Sequence, residues 1–377
     1  MKIAVAAETD PAEPRVAATP DTVKKVISLG AEVVVEPGAG KASGFLDAEY
    51  SAAGAKVSKN AAKQADLVLK VRRPSAAELA GYKKGALVIA IMDPYGNDAA
   101  LNEMAEAGIT AFAMELMPRI TRAQSMDVLS SQANLAGYRA VIDGAAEFGR
   151  AFPMMMTAAG TVPAARVFIM GAGVAGLQAI ATARRLGAVV TATDVRPAAK
   201  EQVESLGAKF IAVEDEEFKQ AETAAGYAKE MSKDYQRKQA ELVAEHVKKQ
   251  DLVITTALIP GRPAPRLISK DMVASMKPGS VLVDLAIERG GNVEGAKAGE
   301  VTNVNGVKIV GYTNMAGRLP ASASALYAKN LLNFLEILID KNEKKLAIKW
   351  DDEIVKATAL TRDGAVIHAD FQPKSAA

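Results

Sequence analysis

The stretch "VFIMGAGVAGLQAIATARRLGAVVTATDVR", which begins at Val167, restricts the fold more than any other segment of the chain. Gly171, Gly173 and Gly176 follow a short apolar run and open a helix-length segment. In a strand–turn–helix unit, the first such glycine permits a tight turn, the second lets a phosphate approach the backbone, and the third lets helix and strand pack closely. The amino terminus of the helix then faces the anion. The stretch therefore predicts a βαβ unit that binds a dinucleotide.

Asp194 closes the strand predicted after this helix, where dinucleotide folds place an acid on the adenosine ribose. A carboxylate accepts hydrogen bonds from both ribose hydroxyls but repels a 2′-phosphate, which favours NAD(H) over NADP(H). Arg196 lies two residues later and could hold such a phosphate, so Arg196 leaves NADP(H) as an alternative.

Short β-branched runs alternate with helix-length amphipathic segments along all 377 residues, a pattern typical of parallel sheets flanked by helices. The length allows two domains, and we predict an α/β protein with two Rossmann-like domains. The first series of predicted strands is Lys2–Ala6, Glu32–Val35, Leu67–Val71, Ala86–Ile91 and Thr110–Met114. The second series is Arg166–Met170, Ala188–Thr193, Lys209–Val213, Leu252–Thr255, Ser280–Asp284 and Val307–Val310.

The order of these segments predicts that the first domain is discontinuous. Residues 128–152 have helical spacing and are expected to cross between the domains. A further long helix is predicted in "SALYAKNLLNFLEILIDKNEKK", and because no third sheet follows, this tail is placed back on the first domain. The expected boundaries are 1–127 with 312–377 for the first domain and 128–311 for the dinucleotide-binding domain.

The connection between Val213 and Leu252 is longer than a crossover helix requires. Its latter half, near Lys233–Lys249, has helical spacing, which leaves "EDEEFKQAETAAGYAKEMS" as an insertion rich in charge, alanine and glycine. The insertion is either a solvated surface loop or a mobile lid over a site, because lids come from segments with few apolar anchors. Tyr227 would give such a lid an aromatic contact.

Composition excludes several kinds of chemistry. The chain has no cysteine, which removes thiolate nucleophiles, disulfides and cysteine zinc sites, and no metal site is expected. The 46 basic and 44 acidic side chains leave a net charge of +2 and therefore no overall attraction to nucleic acid or anionic lipid. No apolar run reaches the ~18 residues of a membrane span, and the amino-terminal run is too short for a signal peptide. These features predict a soluble, cytoplasmic protein.

Few side chains are candidates for acid–base catalysis. Both histidines, His246 and His368, are interpreted as surface residues. Lys70 ends an apolar strand and is either a possible base or a lysine whose ammonium group reaches solvent. Most nicotinamide dehydrogenases need a base for the proton released as hydride leaves. Direct hydride transfer between two nicotinamides needs none, because the protein has only to orient the rings and exclude water. The shortage of bases favours that reaction.

The polar stretch "RITRAQSMD" precedes the glycine turn. The amide of Gln124 can hydrogen-bond a nicotinamide carboxamide through both its donor and its acceptor, while Arg119 and Asp127 can pair and fix the loop. The alternative is a solvated ion pair at a domain edge, and the residue types alone do not decide between the two.

Several stretches closely resemble the NAD(H)-binding component of proton-translocating transhydrogenase. They are "MELMPRITRAQSMDVLSSQANLAGYRAVIDGA", "AFPMMMTAAGTVPAARVFIMGAGVAGLQAIATARRLGA", "ATDVRPAAKEQVESLGAKF", "TTALIPGRPAP" and "MKPGSVLVDLAIERGGN". The resemblance covers nearly the whole chain and is densest from Met114 to Asn292, with the polar loop and the glycine turn in the family's order and spacing. It implies that NAD(H) lies in a cleft between the two Rossmann-like domains.

The family's functional residues are carried onto the matching positions of this sequence. The resemblance implies that the catalytic, nicotinamide-holding residues are Arg119, Gln124, Asp127 and Ser130. It implies a site for the rest of the nucleotide at Ala172, Gly173, Val174, Gly176, Asp194, Val195 and Arg196. It also places Gly226 and the catalytic Tyr227, both in the mobile loop, over the nucleotide, and Gln239 and Leu258 at further cofactor-lining positions.

The family's enzyme is the Re/Si-specific, proton-translocating NAD(P)+ transhydrogenase, which moves hydride from NADH to NADP+ and couples this to proton movement. The chain has one glycine fingerprint and resembles the version in which the NAD(H)-binding component is a separate polypeptide. The resemblance therefore implies two partners, an NADP(H)-binding domain and a membrane-spanning subunit, which hold this chain at the inner membrane. It also implies a homodimer.

Alanine dehydrogenase shares this architecture and also resembles the chain, at "EPRVAATP" and "LVLKVRRP". Its arginine for the substrate carboxylate matches Arg15, whereas its lysine and histidine near the reacting carbon fall on Arg72 and Asp93. Because reductive amination needs that acid–base pair, the departure favours transhydrogenation. A third alternative is an NAD(H)-sensing regulatory subunit, which would have little reason to keep Gln124 and its neighbours. Asp93 and Tyr95 are assigned no role.

Overall fold

The computed structural model describes residues 1–220 and 231–372, which form two compact units. Unit 1 comprises Met1–Gln132 and the chain from Ala316 onward, and unit 2 comprises Ala133–Met315. The changes of unit lie a few residues after the boundaries expected at 127 and 311. Within the described ranges, no helix is both long and apolar enough to cross a bilayer.

Unit 1 begins with alternating strands and helices. Its elements are β1 Lys2–Val5, α1 Pro20–Ser28, β2 Glu32–Val35, α2 Asp47–Ala52, β3 Lys56–Val57, β4 Leu67–Arg72, α3 Ala76–Leu79, β5 Leu87–Ile91, α4 Asp98–Glu106 and β6 Thr110–Ala113. Four 3-10 helices occupy Lys41–Ser43, Ala61–Gln64, Met114–Leu116 and Thr121–Met126. The first six strands are parallel in the order β3-β2-β1-β4-β5-β6, a doubly wound arrangement. All five predicted strands are present, and β3 was not predicted.

Unit 2 contains the predicted dinucleotide fold. Its elements are α5 Val128–Glu147, which starts in unit 1, β7 Met155–Thr157, β8 Gly160–Val162, β9 Arg166–Met170, α6 Val174–Arg185, β10 Val189–Thr193, α7 Ala199–Ser205, β11 Lys209–Phe210, α8 Glu216–Lys219, α9 Lys233–Val247, β12 Leu252–Thr255, α10 Lys270–Ser275, β13 Val281–Asp284, β14 Val301–Val304 and β15 Val307–Val310. A 3-10 helix occupies Ile287–Arg289. The strand order β11-β10-β9-β12-β13-β15 reverses direction between β9 and β12, where such sheets bind their ligands. All six predicted strands are present, and the antiparallel edge strand β14 is an addition.

The carboxyl-terminal tail completes the sheet of unit 1. Its elements are α11 Pro320–Leu338, β16 Ile339–Asp340, β17 Lys345–Leu346, α12 Glu353–Thr358, β18 Ala359–Arg362 and β19 Ala365–Val366, with 3-10 helices at Met315–Arg318 and Ala369–Phe371. Strand β18 pairs antiparallel with β6. The helix predicted as far as Lys345 is wrong beyond Leu338, because the Asp340 carboxylate accepts the amides of Asn342 and Glu343 and turns the chain into a hairpin.

Both sheets are apolar on two faces. Ile3 and Val5 of β1 enter one core cluster of unit 1, whereas Ala4 between them enters another. In β9, Ile169 and its neighbour Phe168 likewise face two different clusters of unit 2. Strands buried on both sides are uninterrupted apolar runs, which explains why the short β-branched segments predicted them correctly.

The two glycines inside α5 lie at close contacts within unit 2. A Cβ at Gly137 would lie 2.0 Å from the carbonyl oxygen of Ala175 in α6, and one at Gly144 would lie 2.7 Å from Leu252 Cδ1. Small side chains are therefore required where α5 crosses α6 and the sheet.

We predict that Gly137→Ala lowers the free energy of unfolding by about 1–3 kcal/mol, because a backbone carbonyl cannot move aside and overpacking outweighs the gain in helix propensity. Gly149→Ala is the matched control, since its Cβ would have no atom of the described residues within 4 Å. Denaturant unfolding of the two variants measures the difference, and equal stabilities would contradict the packing argument.

Candidate functional site

The glycine turn joins β9 to α6 at the point where the strand order reverses. Gly171 has φ +106°, a left-handed conformation that favours glycine, and a Cβ there would lie 2.4 Å from Thr256 Oγ1. The Thr256 hydroxyl donates a 3.0 Å hydrogen bond to the Gly171 carbonyl and ties the turn to the end of β12.

The other two glycines have different roles. A Cβ at Gly176 would lie 1.8 Å from the Gly171 carbonyl oxygen, so α6 packs directly on the turn. A Cβ at Gly173 would meet no atom of the described chain within 4 Å, which leaves the backbone open to a ligand. The first turn of α6, which lies wholly within the described residues, carries no acidic side chain, and its amino terminus attracts anions. The turn therefore fits the pyrophosphate of a dinucleotide.

Asp194 lies just past β10 with its carboxylate against the same turn. Its Oδ2 accepts the Ala172 amide at 2.7 Å and Arg196 Nη2 at 3.0 Å, and its Oδ1 accepts the Arg196 amide and Nε, both at 2.9 Å. The structure thus brings Ala172, Asp194 and Arg196 together; that they bind a nucleotide stays a prediction.

Exposed apolar side chains follow the ends of β9, β10 and β12. Val174, Val195, Leu258 and Ile259 are 41%, 52%, 54% and 45% exposed. They follow the carboxyl ends of β9, β10 and β12, beside the switch point. Apolar surface of this kind suits the faces of an adenine ring.

The loop that carries Leu258 and Ile259 is held by a residue to which sequence reasoning gave no role. The side chain of Asn292 is fully buried; its Oδ1 accepts the Ala257 amide at 3.0 Å, and its Nδ2 donates to the carbonyls of Ala257 and Pro265. The buried Asp284 carboxylate accepts the Val293 amide next to it at 2.9 Å. Both residues lie in the motif "LVDLAIERGGN", which was the available signal.

Gln239 of α9 supports the site through its amide. Its Oε1 accepts the Val213 amide at 2.9 Å, and its Nε2 donates to Thr193 Oγ1 at 3.2 Å, next to Asp194. This amide fixes the end of β10 relative to the following connection.

Two predicted residues, Gly226 and Tyr227, lie outside the described residues. The two ends of the insertion are joined, because Glu217 Oε2 accepts the Ser232 hydroxyl at 2.6 Å. Phe218 is buried and stacks on Tyr235 of α9. The lid itself stays a prediction.

The polar loop of unit 1 carries the residues predicted to hold the nicotinamide. Arg119 precedes the 3-10 helix Thr121–Met126, Gln124 lies on it, and both are exposed. Asp127 follows, and its carboxylate accepts the Ser130 amide at 2.9 Å and the Ser130 hydroxyl at 2.5 Å in the first turn of α5. The predicted ion pair between Arg119 and Asp127 stays a prediction.

The tail of unit 1 anchors this loop. Asn330 and Asn333 of α11 each donate to the Ser125 carbonyl at 2.9 Å. Asn330 also accepts the Ser131 hydroxyl at 2.7 Å, and Arg122 makes a bidentate ion pair with Asp352. Hydrogen bonds from a rigid helix thus fix the loop that carries Gln124.

Both interpretations of Lys70 change with the structure. Its side chain is fully buried, and its ammonium lies 2.7 Å from Glu78 and 3.4 Å from Glu8. The expectation that it reaches solvent is wrong, and its ammonium is already engaged in two ion pairs. Burial raises the pKa of Glu8 even though Lys70 lies beside it. Burial also opposes ionisation of Glu78, but hydrogen bonds from Lys70 and Ser75 outweigh it and hold the pKa of Glu78 below its ordinary value.

Arg15 and Arg72 share one carboxylate. Arg15 is 4% exposed and donates two 2.6 Å hydrogen bonds to the Glu13 carboxylate, while its Nη1 donates to Gln132 at 2.8 Å. Arg72 Nε lies 2.8 Å from Glu13 Oε2. Burial opposes ionisation of Glu13, but the two guanidinium groups outweigh it and lower the pKa of Glu13.

Asp93, which had no predicted role, lies in a constrained loop after β5. Its φ of +49° is left-handed, which is uncommon for a residue with a side chain. Its amide donates to the partly buried Glu115 carboxylate, and its carbonyl accepts Arg73 Nη1 at 2.9 Å. Tyr95 in the same loop makes an edge contact with Phe371.

The prediction that His246 is a surface residue is wrong. Its ring is partly buried, Nε2 lies 2.8 Å from Thr191 Oγ1, and the ring packs edge-on against Phe168. Burial and the charges of Lys249 and Lys209 lower its pKa, which favours the neutral ring. His368 is also partly covered, with Nε2 3.2 Å from the Ala357 carbonyl.

A glycine turn, an acid after the second strand and an open helix terminus at the switch point define unit 2 as a Rossmann-type nucleotide-binding unit. The family model described as "Alanine dehydrogenase/PNT, N-terminal domain" matches residues 4–136, and that described as "Alanine dehydrogenase/PNT, C-terminal domain" matches residues 140–369. The chain belongs to the alanine dehydrogenase/PNT family.

Within this family the chain is more similar to the transhydrogenases compared with it than to the alanine dehydrogenases. It is 58% identical, over 98% of both chains, to the first of the polypeptides that make up the NAD(P) transhydrogenase subunit alpha of Rhodospirillum rubrum. A crystal structure of transhydrogenase from Sinorhizobium meliloti is 66% identical, covers 97% of this chain and 100% of that one, and superposes with a TM-score of 0.90. The alanine dehydrogenase of Halomonas elongata is 32% identical over 98% of this chain and 95% of its own. These comparisons confirm the resemblance and support a transhydrogenase component that binds a nicotinamide nucleotide.

We predict that Asn330→Ala lowers the free energy of unfolding by about 1–3 kcal/mol, because it removes the 2.7 Å hydrogen bond from the Ser131 hydroxyl and one donor to the Ser125 carbonyl. Amide hydrogen exchange in residues 121–126 should accelerate. Asn333→Ala is the control, since it removes only one donor to that carbonyl; equal effects of the two variants would show that the Asn330–Ser131 hydrogen bond adds nothing to the anchoring of the loop.

Proposed function

We propose that this chain is the NAD(H)-binding component of a proton-translocating transhydrogenase. When bound, NADH supplies a hydride that passes directly to NADP+ held on a partner domain. The task of this chain is to bind NAD(H), orient the nicotinamide and keep water away.

One observation carries the proposal: a dinucleotide-binding turn, with an acid at the ribose position, occurs in a chain whose candidate bases are already engaged. Because Lys70 is ion-paired and His246 is partly buried, the simplest chemistry is a hydride transfer that needs no proton transfer. Lys70 is held by Glu8 and Glu78, and the His246 ring contacts Thr191. The similarity to transhydrogenase alpha subunits supports the same conclusion.

Unit 2 would bind the adenosine and pyrophosphate moieties. The amides at the start of α6 face the pyrophosphate beside Gly173, and the apolar side chains of Val195 and Leu258 flank the adenine. Asp194 would accept the ribose hydroxyls and disfavour a 2′-phosphate, which supports NAD(H) as the ligand of this chain and NADP(H) as that of the partner.

The polar loop would orient the nicotinamide. The exposed Gln124 amide can hydrogen-bond the carboxamide through both its oxygen and its nitrogen. Asp127 and Ser130 fix the end of the loop through their mutual hydrogen bonds, and Arg119 contributes positive charge. Because hydride transfer depends on the distance and angle between the rings, a rigid loop is needed. Tyr227 would close over the nucleotide.

An amino-acid dehydrogenase is less well supported. The positions of its lysine and histidine hold Arg72 and Asp93, and a guanidinium remains protonated and cannot take up a proton. Arg72 is moreover paired with Glu13. A sensor without chemistry would not need the anchored Gln124 loop.

Assembly would follow the family. We propose that an NADP(H)-binding domain and a membrane-spanning subunit are the partners, that they hold this chain at the membrane, and that proton movement takes place in the membrane subunit. A homodimer is supported by the β7–β8 hairpin, where Met154, Met155 and Met156 are 57%, 41% and 79% exposed. Clustered exposed methionines are typical of protein–protein contacts.

The proposal is tested by mixing the purified chain with an NADP(H)-binding transhydrogenase domain and following hydride transfer from NADPH to an NAD+ analogue of shifted absorbance. We expect rapid turnover that requires both proteins. Turnover with pyruvate and ammonia instead would establish an alanine dehydrogenase. Binding of NADH without turnover in either assay would favour the NAD(H)-sensing regulatory subunit.

Two variants separate the roles in this assay. Asp194→Ala should weaken NADH binding roughly 10- to 100-fold, because charge-assisted hydrogen bonds are lost. Gln124→Asn should keep the affinity and slow hydride transfer about 100-fold by misplacing the ring. Equal losses of affinity in both variants would contradict the division of roles.

Sedimentation velocity tests the homodimer. The native chain should sediment at twice its mass of 39.5 kDa, and Met156→Asp should shift it toward monomer by burying an unpaired charge. Leu206→Asp, on an exposed apolar residue after α7, is the control. A dimer that tolerates Met156→Asp would exclude the hairpin as the contact.

A further inference from the structure

The Asp194 carboxylate is saturated with donors from its own chain. Within the described residues it accepts four hydrogen bonds, and two of them come from backbone amides, those of Ala172 and Arg196. The other two come from the Arg196 guanidinium, through Nε at 2.9 Å and Nη2 at 3.0 Å. A carboxylate has about four lone-pair sites, so an incoming ligand must displace one of these donors.

The guanidinium is the donor that can leave. The two amides belong to the glycine turn and to the end of β10, and they cannot withdraw without unfolding the site. The Arg196 side chain is 32% exposed, whereas the Asp194 side chain is 7% exposed. A side chain at this exposure can rotate into solvent.

The guanidinium fork also resembles the expected ligand in geometry. Nε and Nη2 present two parallel N–H groups, one to each carboxylate oxygen. The vicinal 2′- and 3′-hydroxyls of a ribose likewise present two O–H donors to one carboxylate.

We propose that Arg196 is an internal competitor that occupies the ribose-diol position of the nucleotide site. NADH binds by exchanging the guanidinium for the ribose hydroxyls, so some of its binding free energy is spent on breaking the Arg196–Asp194 pair. Arg196 thereby limits the affinity for NADH and lets the guanidinium re-cover Asp194 when the nucleotide leaves. The inference rests on the proposed function, because it assumes that Asp194 accepts the adenosine ribose.

The direction in which one substitution changes the affinity for NADH tests this proposal. NADH is an anion, so loss of a positive charge near its site would ordinarily weaken binding. If Arg196 is a competitor, Arg196→Ala should instead tighten NADH binding about three- to ten-fold, the range of a partly exposed ion pair. Fluorescence titration with NADH measures it, and thermal unfolding checks that the variant is folded. Arg185→Ala removes an exposed arginine of α6 and should give no gain.

Two half-nucleotides test whether the gain in affinity arises at the ribose hydroxyls. 5′-AMP should bind Arg196→Ala more tightly than the native chain, and 2′-deoxy-AMP should gain less, because it lacks one of the two hydroxyls. Weaker or unchanged NADH binding by Arg196→Ala would overturn the proposal, as would an equal gain for the two half-nucleotides. If the folded native chain binds no NADH, the proposed function fails first and the competitor fails with it. Loss of NADH binding in Asp194→Ala alongside a gain in Arg196→Ala would support both.

Discussion

The close contact between α6 and the end of β9 determines the site in unit 2. At Gly176 the helix backbone packs against the Gly171 carbonyl so closely that a single methyl group would collide with it. This contact places the helix amino terminus at the switch point of the sheet. Ala172, within the turn, then donates to Asp194, and Thr256 closes the turn from the next strand. Each group that would touch a nucleotide here is positioned relative to that backbone contact.

Unit 1 contains two sets of paired charges that are largely buried. Lys70 lies between Glu8 and Glu78, and Glu13 lies between Arg15 and Arg72. Removing one partner from such a set leaves an uncompensated charge in the interior, so these groups act together as structural supports at the strand ends. By contrast, Arg119 and Gln124 of the polar loop are exposed.

Local signals predicted most of the fold. The β-branched runs indicated all eleven predicted strands, and the glycine turn indicated the helix start at Val174, because these features depend on neighbouring residues. Contacts between distant segments could not be predicted. The residues around Lys70 in the sequence do not indicate its contact with Glu8, and those around Ser125 do not indicate its hydrogen bond with Asn330. The burial of His246 depends likewise on β9 and β10, which supply Phe168 and Thr191. The turn at Asp340 was a local signal that the helix prediction overlooked.

The return of the tail to unit 1 has a consequence for biosynthesis. Unit 2 is a continuous segment, whereas unit 1 lacks α11 and β18 until the ribosome has passed residue 362. Tyr327, Phe334 and Leu335 of α11 belong to the main core of unit 1. The first 132 residues therefore emerge with some of their apolar surface uncovered and wait while the whole of unit 2 is made. The segment that is synthesised first is completed last, and protection of that surface during translation is a requirement of this topology.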